Sequence, residues 1–172
     1  MSIIYPGTQA DPSSIPLATK AGQWIRNSRI KPLPRERAEA AMNLLLKEFG
    51  GKIIQFRSLR SGYNCFGMVF ANRRTCIIDG DVVEKVIFPG DGYRQLGALV
   101  DVQIGDVAVY RKAKGQPIEH VGIVVDSTWK KGDFIIKVLS QWGFDGECLH
   151  LAADVPLAYG THIEYWSERE AP

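Results

Sequence analysis

The chain has 172 residues, 45% of them apolar and 23% charged, which suits one domain with a hydrophobic core and excludes a disordered chain. The net charge of +2 and the absence of any apolar run of about 18 residues argue against nucleic acid and membranes as partners. The first residues carry no secretory signal pattern, so we expect a cytoplasmic protein, or one exported without a signal peptide. The three cysteines are an odd number, which predicts free thiols rather than a disulfide framework.

The N-terminal part of the chain is expected to differ from the rest. Residues 1–34 are rich in Pro, Ser, Thr and Gly and show little periodicity, which predicts an extended arm. Residues 35–172 are predicted to form a single domain. Its first element is a helix that follows Pro34, carries apolar residues at every third or fourth position, and ends at Gly50-Gly51.

A second, short helix is predicted to begin at Cys65. Asn64 is a suitable N-cap, and the apolar residues after Cys65 would share one buried face. A further short helix is expected between Asp81 and Phe88. These helices precede every predicted strand except one short candidate after the first helix.

The second half of the chain predicts strands. Three runs rich in β-branched residues, at 106–110, 121–125 and 134–139, are separated by short turns, and a fourth strand is expected near 162–166. Short links favour antiparallel pairing, and helices followed by a sheet indicate the α+β class.

Cys65 is the candidate nucleophile of this chain. A thiol at the start of a helix is expected to have a lowered pKa, because free N–H groups and the helix dipole stabilise the thiolate. Such a nucleophile needs a base from another element. His120, at the start of the second predicted strand, is the candidate base, and the main-chain N–H of Cys65 is a candidate oxyanion donor.

The imidazole of such a base needs a third group that holds its orientation. The hairpin after His120 turns near Lys130-Lys131, and symmetric pairing about that turn brings Gln141 beside the histidine. The alternation along the next strand favours Ser140 instead. Either side chain can accept the imidazole N–H, so both are candidates, and Glu147 is a further one if the tail folds back over the site.

Three short blocks of sequence occur in a particular order. They are Asn64-Cys65-Phe66-Gly67 at the start of the short helix, Gly105–Tyr110, and His120–Val125. In this order and spacing, over roughly residues 60–145, they resemble the nucleophile helix, the Gly-Asp strand and the catalytic-histidine strand of the NlpC/P60 superfamily. CHAP amidases are similar in the same places.

The resemblance implies a papain-like fold, in which the nucleophile helix packs on an antiparallel sheet. It implies a cysteine peptidase or amidase that cleaves peptide or amide bonds, with bacterial cell-wall peptides such as peptidoglycan fragments as substrates. Cys65 and His120 would be its catalytic residues, and Tyr63 would correspond to a tyrosine that serves as an oxyanion donor. Neither a cofactor nor a metal is expected.

Several alternatives remain open at this point. A non-catalytic binding module could retain the fold, and a thiol amidase or acyltransferase could act on a cytoplasmic substrate. Cys76 follows two arginines and is a second candidate for a reactive thiol. Cys148, His150 and His162 could bind a metal, although their spacing matches no structural zinc pattern.

Overall fold

The structure is a computed structural model that describes residues 13–58, 62–143 and 146–170. Its helices are α1 (Arg35–Phe49), α2 (Cys65–Phe70), α3 (Gly80–Val82) and α4 (Phe88–Asp91), with a π-helical turn at Val83–Ile87 and 3-10 turns at Leu99–Asp101 and Leu157–Tyr159. Its strands are β1 (Asn27–Ser28), β2 (Ile53–Ser58), β3 (Cys76–Ile77), β4 (Arg94–Gln95), β5 (Val107–Arg111), β6 (Ile118–Lys130), β7 (Asp133–Trp142), β8 (Gly146–Leu151) and β9 (His162–Ser167).

Most of the strands form one large sheet. Seven strands of the described residues pair in the order β2-β8-β7-β6-β5-β9-β4, and all of these neighbours are antiparallel. The two short strands β1 and β3 form a separate antiparallel pair. The α+β class and the antiparallel sheet predicted from the sequence are confirmed.

The predicted strands of the second half correspond to β5, β6, β7 and β9. The sequence did not indicate β8, which mixes polar, small and apolar residues, and this strand inserts between β2 and β7. The helix expected from Asp81 to Phe88 is longer, because α3, the π-helical turn and α4 follow one another without a break from 80 to 91.

The described part of the predicted arm lies against the domain. Residues 13–34 include β1, and Ile15, Leu17 and Ile25 are buried in the same apolar cluster as α2. These side chains cover the outer side of the short helix. The remainder of the predicted arm, 1–12, lies outside the described residues.

The large sheet has a different cluster of buried side chains on each face. On one face, here called the helix face, Val109 and Val121 pack against α2. On the opposite face, here called the far face, Tyr110 belongs to a second cluster, and α1 covers it by placing Phe49 edge-on to Trp142 at 5.7 Å between ring centroids. The alternation of side chains along each strand assigns neighbouring residues to opposite faces.

Candidate active site

Cys65 is held in place by the capping residue that precedes it. The Oδ1 of Asn64 accepts a hydrogen bond from the main-chain N–H of Gly67 at 2.9 Å, as an N-cap does, and its Nδ2 donates to the carbonyl of Ile77 on β3 at 2.7 Å. Gly67 lies so close to Thr75 that a Cβ at this position would collide with its carbonyl oxygen. The start of α2 therefore packs directly against the backbone at Thr75.

The Cys65 sulfur is buried, and the pKa of its thiol depends on that burial and on the main chain around it. Burial raises the pKa of the Cys65 thiol to about 11, and hydrogen bonds from the main-chain N–H groups of Val121, Phe66 and Cys65 itself oppose this rise. The lowered pKa expected at a helix start is not found, because α2 has only six residues and burial outweighs its dipole. At neutral pH the thiol is protonated.

The N–H of Val121 points into an opening between β6 and β7. Val124 donates to the carbonyl of Asp106 at 2.8 Å on the β5 side, so the alternation of N–H directions along β6 turns Val121 toward β7. The β6–β7 pairs of the described residues run from the hairpin turn only as far as Ile123 and Leu139. Beyond that point no further pair of the two strands is formed within the described residues, and Cys65 of α2 lies in the same buried cluster as Val121.

His120 immediately precedes Val121, and its side chain lies on the far face. It is paired across the strands with Tyr110, at 5.5 Å between ring centroids, and it stacks on Tyr159 at 3.9 Å with only 7° between the ring planes. Burial lowers the pKa of His120 well below its usual value, and His150 adds to the effect. The imidazole is neutral at pH 7.

The thiol of Cys65 and the imidazole of His120 lie on opposite faces of β6 and are not hydrogen-bonded through the imidazole Nε2. The sulfur lies in the helix-face cluster with Val121, whereas the Nε2 of His120 is buried and has no hydrogen-bond partner within the described residues. The structure therefore brings the sulfur to the strand that carries the histidine and leaves the ring on the far face. Proton transfer between them requires the imidazole to turn toward the opening.

Neither predicted third residue is hydrogen-bonded to His120. The hydroxyl of Ser140 shares a hydrogen bond with the Nε2 of His150 at 2.8 Å and accepts another from the indole N–H of Trp142 at 2.8 Å. Gln141 donates through its Nε2 to a main-chain carbonyl two residues further on at 3.2 Å. Its Oε1 is buried and has no partner in the part of the chain that the structure describes.

The β6–β7 hairpin has a different register from the symmetric one expected from the sequence. Lys131 and Gly132 both have positive φ, 54° and 92°, which is the conformation of a two-residue hairpin turn, so the turn is centred one residue later than expected. A bulge after Val124 shifts the pairing again. Continued past the last pair, this register places Trp142 opposite His120.

Tyr63 is bound to a carboxylate rather than open to the thiol. Its hydroxyl donates to Glu147 at 2.7 Å, and burial, reinforced by this carboxylate, raises the pKa of Tyr63 to about 12. Arg73 forms an ion pair with the same carboxylate. The bonds of Glu147 thus go to these two residues and not to His120, an arrangement that becomes visible only once β8 is known.

The other two cysteines are also buried free thiols. Cys76 donates to the carbonyl of Gly62 at 3.8 Å, and burial raises the pKa of its thiol, so the preceding arginines do not activate it. Cys148 belongs to the far-face cluster. No group of three His, Cys, Asp or Glu side chains among the described residues is arranged to hold a metal ion.

None of the helices in the described ranges is long and apolar enough to cross a membrane. Comparison with known proteins gave no match to any family model, curated protein or solved structure.

Proposed function

We propose that this protein is a papain-like cysteine hydrolase of peptide or amide bonds, with Cys65 as nucleophile and His120 as general base. The observation that carries the proposal is the position of Cys65, at the start of a buried helix that packs on β6 in the same buried cluster as Val121. Val121 directly follows His120 on β6. Thiol catalysis requires a nucleophile and a base presented from two separate elements, and turning of the His120 ring from the far face would bring them together.

The reaction starts from a neutral pair. His120 turns into the opening between β6 and β7 and takes the thiol proton as the sulfur of Cys65 attacks the carbonyl carbon. A C–S bond forms, and the carbonyl oxygen becomes an oxyanion. The protonated imidazole then gives its proton to the leaving nitrogen as the C–N bond breaks. Water, deprotonated by the same imidazole, hydrolyses the thioester and restores the thiol.

The oxyanion is stabilised by the main chain at the start of α2. The N–H of Cys65 belongs to the first helical turn, whose N–H groups have no carbonyl partner within the helix. Tyr63 could contribute only by exchanging its hydrogen bond to Glu147 for one to the substrate. The main-chain N–H of Cys65 is therefore the principal oxyanion donor in this mechanism.

The proposed substrates are peptides of the bacterial cell wall. This substrate class follows from the resemblance of the three sequence blocks to NlpC/P60 and CHAP enzymes, which typically cleave such peptides. Digestion of purified muropeptides by the wild type and not by Cys65→Ala would support it. Hydrolysis of other amides alone would instead indicate a thiol amidase or acyltransferase with a different substrate.

The nucleophile and base are tested with p-nitrophenyl acetate, a small activated ester that acylates reactive thiols. The wild type is expected to release nitrophenolate in a burst and to carry one acetyl group on Cys65 in mass spectra. Cys65→Ala should abolish the burst, and His120→Ala should slow it by about 100-fold or more.

His162→Ala is the control for the base, because it removes an imidazole that is only partly buried and is hydrogen-bonded to Glu164 rather than placed against His120. Its acylation rate should stay within about threefold of the wild type. Equal, slow acetylation of all three cysteines, or an unchanged rate in His120→Ala, would contradict the proposal.

A second candidate function is a non-catalytic binding module with the same fold. It is favoured by one observation, that the resting thiol and imidazole are held by other contacts and both are neutral. This alternative predicts no acylation of Cys65, together with muropeptide binding in calorimetry that is the same for the wild type and Cys65→Ala.

A further inference from the structure

Two buried polar atoms without a partner belong to one pair of residues. Within the described residues, the hydroxyl of Tyr110 and the Nε2 of His120 have no hydrogen bond, although both residues are almost completely buried. The two side chains are directly opposite each other on β5 and β6, with their ring centroids 5.5 Å apart and their planes inclined by 45°. Buried polar groups nearly always have partners, so two such atoms on one cross-strand pair call for an explanation.

The other polar side chains considered as partners of His120 are bonded elsewhere or lie on the helix face. Ser140 is bonded to His150 and to Trp142. Gln141 lies between Ser140 and Trp142 on β7, so the alternation of side chains places its unpartnered Oε1 on the helix face, away from His120. Glu147 lies on the helix face in its bonds with Tyr63 and Arg73. Tyr110 is in ring contact with the imidazole of His120, and the hydroxyl of Tyr110 has no hydrogen bond to any other described residue.

We propose that Tyr110 is the positioning residue of His120, and that its hydroxyl is the hydrogen-bond partner of the imidazole Nε2 during the reaction. This inference rests on the proposed function and gives Tyr110 the role that the sequence suggested for Ser140 or Gln141. The other ring nitrogen, Nδ1, is then the one that faces Cys65 and exchanges its proton.

A hydroxyl suits this role because the imidazole changes its protonation state during the reaction. Tyr110 can donate its proton to the Nε2 of the neutral ring, and it can accept the Nε2–H of the imidazolium. A carboxylate at this completely buried position would bring a charge of its own that needs compensation. Tyr159 complements the arrangement, since its parallel ring fixes the plane in which the imidazole turns.

The test compares Tyr110→Phe with Tyr165→Phe. Each variant removes one hydroxyl from a buried tyrosine of the same far-face cluster, and only the first lies against His120. Tyr110→Phe is expected to slow the acetylation of Cys65 by p-nitrophenyl acetate about tenfold, with the same number of thiols acylated at the end of the burst. Tyr165→Phe should change the rate less than about twofold.

Nitrogen NMR of histidine-labelled protein supplies a readout that does not depend on hydrolysis. In the acetylated protein, the Nε2 resonance of His120 should lie at the position of a hydrogen-bonded nitrogen in the wild type and in Tyr165→Phe, and at that of a nitrogen without a hydrogen bond in Tyr110→Phe. An Nε2 resonance and an acylation rate that are both unchanged in Tyr110→Phe would overturn the inference.

The outcomes separate this inference from the proposed function. A wild type that is never acetylated at Cys65 refutes the hydrolase and the positioning role with it, whereas a wild type that is acetylated at a rate independent of Tyr110 refutes the positioning role alone. If Tyr110→Phe does not fold, the spectrum of the acetylated wild type decides, because an Nε2 resonance at the position of an unbonded nitrogen in that state contradicts the proposed hydrogen bond.

Discussion

Two buried histidines of the far face have opposite surroundings. The ring of His150 on β8 is bonded at both nitrogens, to the hydroxyl of Ser140 and to the carbonyl of Leu151, each at 2.8 Å. The ring of His120 on β6 stacks on a tyrosine and leaves its Nε2 without a partner in the described residues. A satisfied imidazole supports the fold, whereas an unsatisfied one lowers stability and keeps a nitrogen ready for another bond.

The largest expected effect is on the free energy of unfolding, when the ring of each of these two histidines is replaced by a phenyl ring. His150→Phe removes both hydrogen bonds and leaves the Ser140 hydroxyl with only the indole N–H of Trp142 and the carbonyl of Leu151 with only the N–H of Asp154, so the free energy of unfolding should fall by about 3 kcal/mol. His120→Phe removes an unpaired polar atom and keeps the stacking, so it should change the free energy by less than about 1 kcal/mol. Urea unfolding of both variants measures the difference; equal losses would show that the two rings have equivalent environments.

The second effect is a loss of stability in mild acid. Burial lowers the pKa of His150 to about 4, below the value of about 6.5 in the unfolded chain. Between these two values the unfolded chain binds a proton that the folded chain does not, so the free energy of unfolding falls as the pH falls, by about 3 kcal/mol for this group.

His120, whose pKa burial also lowers, contributes in the same direction as the pH falls below about 6.5. Urea midpoints from pH 8 to pH 4 should therefore fall steeply in the wild type, less in His150→Phe, and least in the variant that lacks both histidines. A wild-type midpoint that stays constant over this range would refute the buried, neutral state of both rings.

A third and smaller effect is expected for Ser140→Ala. The variant leaves the Nε2 of His150 and the indole N–H of Trp142 without their shared hydroxyl, which should lower the free energy of unfolding by about 2 kcal/mol. Acylation of Cys65 should stay within about threefold, because Ser140 does not bind His120. A stable variant with a strongly reduced acylation rate would reverse this assignment.

The smallest effect is expected for Gln141→Met. The Oε1 of this residue is buried without a partner in the described chain, and its amide makes one long hydrogen bond of 3.2 Å. Replacing it by an apolar side chain of similar length should change the free energy of unfolding by less than about 1 kcal/mol. A loss as large as that of Ser140→Ala in the same urea titration would mean that Gln141 belongs to a complete network.

The sequence was a good guide to the central strands and the nucleophile helix. The β-branched runs predict β5, β6 and β7 because these strands are buried along much of their length, and Asn64 predicts the start of α2 because its side chain makes the expected capping bond. The strand β8 could not be predicted, because its polar residues such as Glu147 and His150 are buried through specific partners rather than through alternation.

The site itself was predictable only in part. The residue types and their order single out Cys65 and His120, but a bulge and a shifted turn determine which side chain stands opposite the histidine, and neither leaves a clear trace in the sequence. The pKa of the thiol also depends on how deeply α2 is buried, which is a property of the whole domain. From the sequence alone, Tyr110 cannot be distinguished from an ordinary core residue, because its pairing with His120 depends on the register of β5 and β6.

Gly67 makes the proposed active site sensitive to a substitution that does not involve any reactive group. Since a Cβ at this position would strike the carbonyl of Thr75, even an alanine would have to lift α2 away from β3. Cys65 lies only two residues earlier on the same turn, so such a displacement would withdraw the sulfur from the N–H of Val121. The fold therefore has no room for even one methyl group at position 67. A substitution there is expected to displace Cys65 and reduce its reactivity, although every proposed catalytic side chain is unchanged.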